Sequence, residues 1–360
     1  MATADRSARA GHPYLMHEAI YAQPGALRLL GRGNAEALEA AAARLGACER
    51  LILTGVGSSR HAALATERLF ASVAGFGQRV RVHSAFALAH GGPAIDGATG
   101  VVVVSHRATN RATHDVLARA RAAGAPTVVV TAREVAFPSD ADSVLRTVPA
   151  EAAHAHTVGY TGAVAMLAML AAAIGGNEEV ARALEGIPDH LALLLGQEAW
   201  EEMAVRFAGR RRYFFVAGGS DTATAFEAAL KVSETSYLVA SGLDCEEFLH
   251  GVWVAMEEDD LLVLIALPGP AHERCLDVAR VAREVGTPVL ALVGAADRAL
   301  NGLAAETIEI PEVDERIAPV LTVVPLQLLA YHWAILKGAN PDVLRAGDPR
   351  YARGHAALTR

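Results

Sequence analysis

The chain has 360 residues, of which 52% are hydrophobic and 20% are charged, and its formal net charge is −8. This length suits two domains of about 150 residues each plus extensions, with large buried cores. The acidic balance and the lack of any basic run exclude a nucleic-acid groove, which needs clustered Lys and Arg.

The cysteines of the chain are Cys48, Cys245 and Cys275, far apart in sequence. Their number and spacing favour reduced thiols over a disulfide framework or a zinc cluster. The first residues lack the basic and then apolar pattern of a secretion signal. The most apolar segment, residues 161–174, is too short to span a bilayer and predicts a buried helix. We therefore expect a cytoplasmic protein with no membrane partner.

Short apolar runs typical of strands occur in two series, which are separated by roughly 160 residues, close to the size of a domain. The runs are residues 51–54, 101–105, 127–131 and 144–148 in the first series, and 213–216, 261–266, 288–292 and 307–310 in the second. Such self-similarity predicts that one domain has been duplicated.

Within each half, runs such as VVVV and LLVLIAL lack in/out alternation, as strands covered on both faces of a parallel sheet do. The helical segments between them end at glycines. The pattern predicts a doubly wound α/β fold that occurs twice. The expected divisions are an N-terminal extension 1–40, a first domain 41–175, a helical connector 176–200, a second domain 201–338 and a tail 339–360 that covers a site.

A glycine turn, residues 55–59, follows the first predicted strand. Arg60 stands where a dinucleotide-binding turn has its third glycine, and the next strand, residues 79–85, ends without an acid for a ribose. No phosphate loop of the GxxxxGK[ST] type is present. We therefore expect no nucleotide and no other cofactor.

Serines in these turns offer another ligand. Ser58, Ser59 and Ser105 follow predicted strands, and their hydroxyls and backbone amides could hold a sugar phosphate. A helix cap explains each serine by itself equally well. Only their combination favours an anion site.

Glu227, Lys231 and Glu234 fall on one side of a predicted helix because they are spaced i, i+4 and i+7. Such a triplet is often a solvated face with a weak ion pair. Here a strand and the glycine turn 218–222 precede the helix, and His250 follows it, which favours an acid–base site beside a ligand. Lysine occurs only twice in the chain, so a lysine at this place is conspicuous.

With these residues the chain resembles the sugar isomerase (SIS) domain family. The most similar members are the tandem-SIS isomerase half of glucosamine-6-phosphate synthase and the related amino-sugar-phosphate deaminases and deglycases. The resemblance rests on the helix FEAALK at 226–231, on the LHG at 249–251 and on the segment IAPVLTVVPLQLLAYHWAILKGANPD, and it runs from about residue 16 to 341. It implies two tandem SIS domains and a homodimer.

The resemblance implies a role for each matching residue. Glu234 would move a proton between C1 and C2 of an open-chain sugar, and His250 would help to open the ring from the partner subunit. Glu227 and Lys231 would orient this pair. No metal ligand is implied. The implied substrate-binding residues are Gly57, Ser58, Ser59, Ser105, His106, Arg107, Thr109, Asn110 and His156.

Two departures from the family leave the substrate open. The loop 105–110 reads Ser-His-Arg-Ala-Thr-Asn where the family has approximately Ser-Gln-Ser-Gly-Glu-Thr, so that Arg107 could clamp a phosphate or recognise a carboxylate. No lysine follows Lys337, although the synthase resemblance requires one near the C-terminus. The glutaminase half is also absent, so we do not expect synthesis of glucosamine phosphate from glutamine.

Further histidines lie near the altered loop. His154 and His156 form an H-x-H pair, and His106 and His114 lie in or after the loop. No carboxylate or cysteine accompanies them at a diagnostic spacing, which favours hydrogen-bonding residues over a metal site. By the resemblance, residues 154–161 line the sugar pocket, including His156, Tyr160 and Thr161.

Two functions follow from the sequence. The first is an aldose–ketose isomerase or amino-sugar-phosphate deaminase that acts on a phosphorylated hexose or amino sugar through a glutamate base. The alternative is a non-catalytic protein that binds or senses a sugar phosphate through a degenerate phosphate loop.

Overall fold

The computed structural model describes residues 9–136 and 141–358, so the outermost parts of the predicted extension and tail lie outside the described residues. In the described residues, two five-stranded sheets have the orders β2-β1-β3-β4-β5 and β10-β9-β8-β6-β7. All of their strand pairs are parallel. The strands are β1 Arg50–Gly55, β2 Val80–Ser84, β3 Thr99–Val104, β4 Thr127–Thr131, β5 Ser143–Arg146, β6 Tyr213–Ala217, β7 Ala240–Asp244, β8 Leu261–Ala266, β9 Val289–Gly294 and β10 Glu306–Ile310.

Helices cover both faces of the two sheets, which confirms the doubly wound α/β prediction. They are α1 Leu15–Tyr21, α2 Gln23–Arg28, α3 Ala35–Gly46, α4 Ser58–Ser72, α5 Ala85–His90, α6 Arg111–Ala122, α7 Val158–Gly175, α8 Glu178–Leu195, α9 Trp200–Arg206, α10 Thr222–Thr235, α11 Cys245–Leu249, α12 His272–Val285, α13 Pro319–Leu336 and α14 Pro349–Leu358.

The strand register repeats between the halves. Leu51 in β1 lies opposite Val80 in β2, and Tyr213 in β6 lies opposite Ala240 in β7. In each half, the strand that follows the first one along the chain therefore lies at the edge of the sheet: β2 beside β1, and β7 beside β6. This repetition is what the predicted duplication requires.

The two predicted series of strands do not include β7. They also omit β2, which the sequence analysis predicted separately, as the strand 79–85 that ends without a ribose-binding acid. The sequence of β7, ASGLD, contains a single large apolar residue, and none of its five residues is fully buried. An edge strand needs no continuous apolar run, because one of its sides faces solvent.

Helix α7 is longer than predicted, because it begins at Val158 and has 18 residues. It and α13, also of 18 residues, are long and apolar enough by length and composition to cross a membrane. Of their most apolar windows, 78% and 83% are buried inside the fold. The prediction that this apolar segment is too short to span a bilayer was therefore wrong. Its burial, and that of α13, identifies the two helices as core elements.

One hydrophobic core joins the two halves. The same cluster of buried side chains contains Leu53 of β1, Leu167 of α7, Val263 of β8 and Leu328 of α13. Helix α10 of the second half packs against α4 of the first half. This contact brings the face of α10 to the carboxyl ends of β1 and β3.

Candidate active site

A cavity of about 560 Å³ lies where α10 meets the carboxyl ends of β1 and β3. Its wall contains eleven of the thirteen residues that the sequence proposed for the site. These are Gly57, Ser58, Ser59, Ser105, His106, Arg107, Thr109, Asn110, His156, Lys231 and Glu234.

Two helices of the first half begin at this cavity. Ser58 is the first residue of α4, and Asn110 is the N-cap of α6. Gly57, before α4, has φ of 56°, a left-handed conformation that glycine adopts without steric cost. The unpaired N–H groups and dipoles of both helix starts favour an anion in the cavity.

Lys231 is the centre of a charged cluster on α10. Its Nζ lies 2.5 Å from Glu234 Oε2 and 3.3 Å from Glu227 Oε1. It also donates to Ser58 Oγ at 3.2 Å, and Ser58 Oγ donates to Glu227 Oε1 at 2.8 Å. The predicted helix face is therefore not a solvated surface, since the side chains of Glu227 and Lys231 are 0% and 1% exposed.

The carboxylates and the ammonium group of the cluster stabilise each other's charged forms. Burial by itself would raise the pKa of Glu227, but Lys231 and the hydrogen bonds from His61 and Ser58 lower it below its ordinary value. Burial would likewise lower the pKa of Lys231, but the two carboxylates raise it. Lys231 is therefore a permanent cation at neutral pH and cannot act as an amine nucleophile.

His61 completes the cluster and was missed by the sequence analysis. Its Nδ1 lies 2.8 Å from Glu227 Oε2. Glu227 does not line the cavity but stands behind Lys231, with Ser58 and His61 on its two oxygens. Glu234, whose side chain is 26% exposed, is the carboxylate that faces the cavity. The position of His61, three residues after Ser58 on α4, was the available signal.

The altered loop keeps a glycine-like bend. Ala108, at the position where the resembled family has glycine, has φ of 53°, a left-handed conformation that is strained for a residue with a Cβ atom. Arg107 borders the cavity and donates through Nη2 to the backbone oxygens of Glu151, at 3.1 Å, and Ala153, at 2.6 Å. Part of its guanidinium fork is thus already used within the protein.

Glu151 is a second missed residue, and it anchors the segment that carries the H-x-H pair. Its buried carboxylate accepts from the N–H and hydroxyl of Thr157 and from the N–H of Gly159, at the start of α7. Burial nevertheless raises its pKa. The N–H of Glu151 donates to His106 Nε2 at 3.2 Å, so the proton of a neutral His106 must reside on Nδ1. Burial, and then the charge of Arg107, lowers the pKa of His106 to about 4.

A small pocket of about 10 Å³ adjoins the cavity and shares lining residues with it, including Ser59 and His106. Tyr160 and His156 both line it, and His156 also lines the main cavity. Thr161 lines neither, because its hydroxyl turns back to the carbonyls of Thr157 and Val158. The expectation that Thr161 forms part of the sugar pocket was therefore wrong.

His250 lies outside the cavity. It follows α11, its side chain is 75% exposed, and its Nε2 lies 3.2 Å from Glu246 Oε2. Within the described residues, it makes no contact with Glu234 or Lys231. Its predicted approach to the site would therefore require a second copy of the chain.

The C-terminal tail closes one side of the cavity with Leu344 and Leu358. Asp342 fixes the start of the tail, because its carboxylate accepts from the N–H groups of Leu15 and Met16 at the start of α1. Its backbone oxygen accepts from the N–H of His154 at 3.0 Å.

A larger cavity of about 660 Å³ lies between α2, α7 and α8. Its wall is mainly apolar and includes Leu27, Met169 and Leu184. Its charged lining residues, Arg28, Glu178 and Glu185, are exposed, unlike the buried Lys231 of the first cavity. In the described part of the chain, no cluster of three or more His, Cys, Asp or Glu side chains is arranged to hold a metal ion.

Comparisons with known proteins agree with this architecture. The sequence model of the family described as SIS domain matches residues 45–174 and 206–337. The isomerizing glutamine–fructose-6-phosphate aminotransferase of Thermococcus kodakarensis is 31% identical over 353 residues, which cover 94% of this chain and 58% of that protein. The same enzyme of Pyrococcus horikoshii is 30% identical over 350 residues, again covering 94% and 58%. The chain thus spans somewhat more than half the length of these relatives.

Solved structures with the same fold are more distant in sequence. The C-terminal domain of glucosamine-fructose-6-phosphate aminotransferase from Francisella tularensis superposes with a TM-score of 0.81 at 19% identity, over 93% of this chain and 100% of that one. Tagatose-6-phosphate ketose/aldose isomerase from Escherichia coli gives 0.80 at 20% identity, over 94% and 97%. Glucosamine-6-phosphate deaminase from Thermotoga maritima gives 0.70 at 18%, over 91% and 98%.

Proposed function

We propose that this chain, which belongs to the SIS domain family, moves a proton between neighbouring carbons of an open-chain hexose or amino sugar that carries an anionic group. The reaction would be an aldose–ketose isomerisation or the deamination of an amino-sugar phosphate. The curated relatives described above are named as isomerizing aminotransferases, and the solved structures with the same fold include an isomerase and a deaminase.

One observation carries the proposal. Glu234 is the cavity-facing member of a cluster whose other carboxylate, Glu227, is fully committed to Lys231, Ser58 and His61. Because Lys231 stays protonated, it can hold Glu234 in place and stabilise negative charge on an enediolate without taking the proton itself. A carboxylate can take a proton from one carbon and return it to the next.

The part of the cavity that the first half contributes supports an anionic substrate. The starts of α4 and α6, the hydroxyls of Ser59 and Ser105, and the remaining N–H groups of Arg107 would all donate to a phosphate. The cavity would thus fix the sugar by its anionic end and leave the carbons at the other end beside Glu234. We further propose a homodimer, since only a second copy could bring His250 to this cavity.

Exchange of the C2 proton in deuterated water, followed by NMR, tests the proposal. Glucose-6-phosphate and glucosamine-6-phosphate, which both carry a proton on C2, are the first probes. We expect wild-type protein to exchange the proton of at least one probe, and Glu234→Gln to lower the rate by about 10² to 10⁴. Binding of the same sugar, measured by calorimetry, should persist in the variant.

Glu273→Gln is the matched control, since Glu273 is an exposed glutamate on α12. It should retain wild-type exchange. Full exchange by Glu234→Gln would refute the assigned base. Binding without exchange by the wild-type protein would instead favour the sugar-sensing function.

A further inference from the structure

His156, for which the resemblance implies only substrate binding, also places an acid–base group inside the cavity. It lies on the wall that also contains Lys231 and Glu234, and its ring centroid is 4.6 Å from that of His106. Within residues 9–136 and 141–358, neither of its ring nitrogens makes a hydrogen bond. Burial and the neighbouring charges of His106, Lys231, Arg107 and His154 lower its pKa well below the ordinary value, so the ring is neutral at pH 7.

A neutral imidazole has one N–H and one bare nitrogen, so it can give and accept a proton in the same encounter. His156 also lines the small adjoining pocket, together with Tyr160, whose buried hydroxyl has no hydrogen-bond partner among the described residues. The volume of this pocket, about 10 Å³, fits one water molecule. His156 therefore borders both the substrate cavity and a place for a water molecule.

The other groups on this wall are less suited to proton exchange with a sugar hydroxyl. Lys231 is held as a cation by two carboxylates, and Glu234 is needed at the carbon atoms. The Nε2 of His106 already accepts from the backbone of Glu151. His154 is exposed and its Nδ1 lies 3.1 Å from the backbone oxygen of Asp342.

We propose that His156 opens the sugar ring within its own chain, before Glu234 acts on the open form. His156 lines the cavity and would thus take the role that the resemblance implies for His250, which is exposed outside it. The bare nitrogen of the imidazole takes the proton of the anomeric hydroxyl, the C1–O bond of the ring breaks, and C1=O forms. The ring oxygen leaves with the bond electrons and receives a proton from the imidazole. The ring of His156 is thereby restored, and no net proton is consumed. This inference rests on the proposed function and adds a catalytic residue to it.

A hydrogen isotope effect separates ring opening from transfer at C2. We would measure kcat/KM of His156→Gln with unlabelled and 2-deuterated glucose-6-phosphate and glucosamine-6-phosphate. We expect kcat/KM to fall about hundredfold, with an isotope effect near unity because ring opening has become rate-limiting. In Glu234→Asp, which slows the carbon step, the isotope effect should be well above unity.

Two further variants guard against a merely structural effect. His156→Ala should regain part of its activity when imidazole is added, which a packing defect would not do. His90→Gln, a change at an exposed histidine on α5, should behave as wild type.

An unchanged kcat/KM in His156→Gln, or a slow variant with a large isotope effect, would overturn this inference alone. Lack of rescue of His156→Ala by imidazole would also count against it. Failure of the wild-type protein to exchange the C2 proton of any probe would overturn the proposed function as well.

Discussion

The two halves of the molecule share a strand register but differ at the place where a ligand would bind. After β3, the first half has the polar loop Ser105–Asn110, whereas after β8 the second half has residues 266–271, of sequence Ala-Leu-Pro-Gly-Pro-Ala. The first crevice is open, at about 560 Å³, and the second has shrunk to about 20 Å³. The second crevice thus has both fewer polar side chains and less space than the first.

Side chains fill the second crevice. Ala271 packs so tightly on Gly218 that a Cβ there would lie 2.4 Å from the methyl group of Ala271. Arg68, from α4 of the first half, pairs with Glu315 at 2.9 Å beside the same pocket. The second half thus has no room for a sugar.

The helices after β1 and β6 also differ, but here it is the second half that has the charged side chains. Helix α10 presents Glu227 and Lys231, whereas α4 has the buried apolar residues Ala65 and Leu69 at the corresponding turns. The first copy of the domain contains the loop that we propose to bind the anion, and the second contains the helix that we propose to transfer the proton. The proposed site therefore needs both copies of the duplicated domain.

The largest expected effect of a substitution is at Lys231. Lys231→Met leaves the carboxylate of Glu227 buried without its cation, and we expect a loss of about 3–5 kcal/mol in the free energy of unfolding at neutral pH. In the wild type the pKa of Glu227 is lowered, so its contribution to stability is present above the ordinary carboxyl pKa and is lost as the pH falls. The deficit of the variant should therefore shrink towards about pH 4.

Urea denaturation at both pH values measures this deficit. Lys337→Met is the matched control, because Lys337 is the other lysine of the chain and is exposed at the end of α13. It should change stability by less than about 0.5 kcal/mol. Equal effects of the two substitutions would contradict the buried cluster.

Asp221, in the second crevice, gives the next largest effect. Burial raises its pKa to about 6, against the hydrogen bonds from Thr322 and Thr224, and the charge of Glu315 adds to the rise. Since the folded pKa is above the unfolded one, the wild type loses stability as the pH rises from about 4 to about 6. Asp221→Asn removes this loss and can still accept from both threonines.

We expect Asp221→Asn to exceed the wild type by up to about 3 kcal/mol at pH 8 and to match it near pH 4. Chemical denaturation across this range is the measurement. Parallel pH profiles of the two proteins would show that Asp221 does not titrate in this way.

The smallest expected effect compares two serines at corresponding positions, Ser58 and Ser220. Ser58 bonds to both Glu227 and Lys231, so Ser58→Ala should cost about 1.5–3 kcal/mol. The hydroxyl of Ser220 is buried and has no partner in the part of the chain that the structure describes, so Ser220→Ala should be neutral or stabilising by about 1 kcal/mol. Thermal unfolding of both variants tests this. A similar loss in both would mean that the two crevices are equivalent after all.

Most of the fold could be predicted from the sequence, because eight of the ten strands form apolar runs that recur in two series. The edge strand β7 could not be recognised in this way, since its five residues contain only one large apolar side chain. Helix α7 was predicted too short because its first turn, Val158–Thr161, includes glycine and polar residues whose burial appears only in the fold.

The candidate site was predictable where its residues lie on one element. Glu227, Lys231 and Glu234 follow helical spacing, so their common face can be read from the sequence. His61 was missed because its partner, Glu227, is on a helix of the other half. Glu151 was missed because its partners are backbone groups at the start of α7. Such pairings depend on how distant segments pack.

Asp342 connects the wall of the cavity to parts of the chain that are distant in sequence. Its carboxylate caps α1, and its carbonyl secures the segment that presents His156. Asp342 thus links the start of α1, the tail and the histidine pair through its carboxylate and its backbone carbonyl. A substitution of Asp342 would release the start of α1 and, through the tail, loosen the wall that contains His156, although the two segments are far apart in sequence.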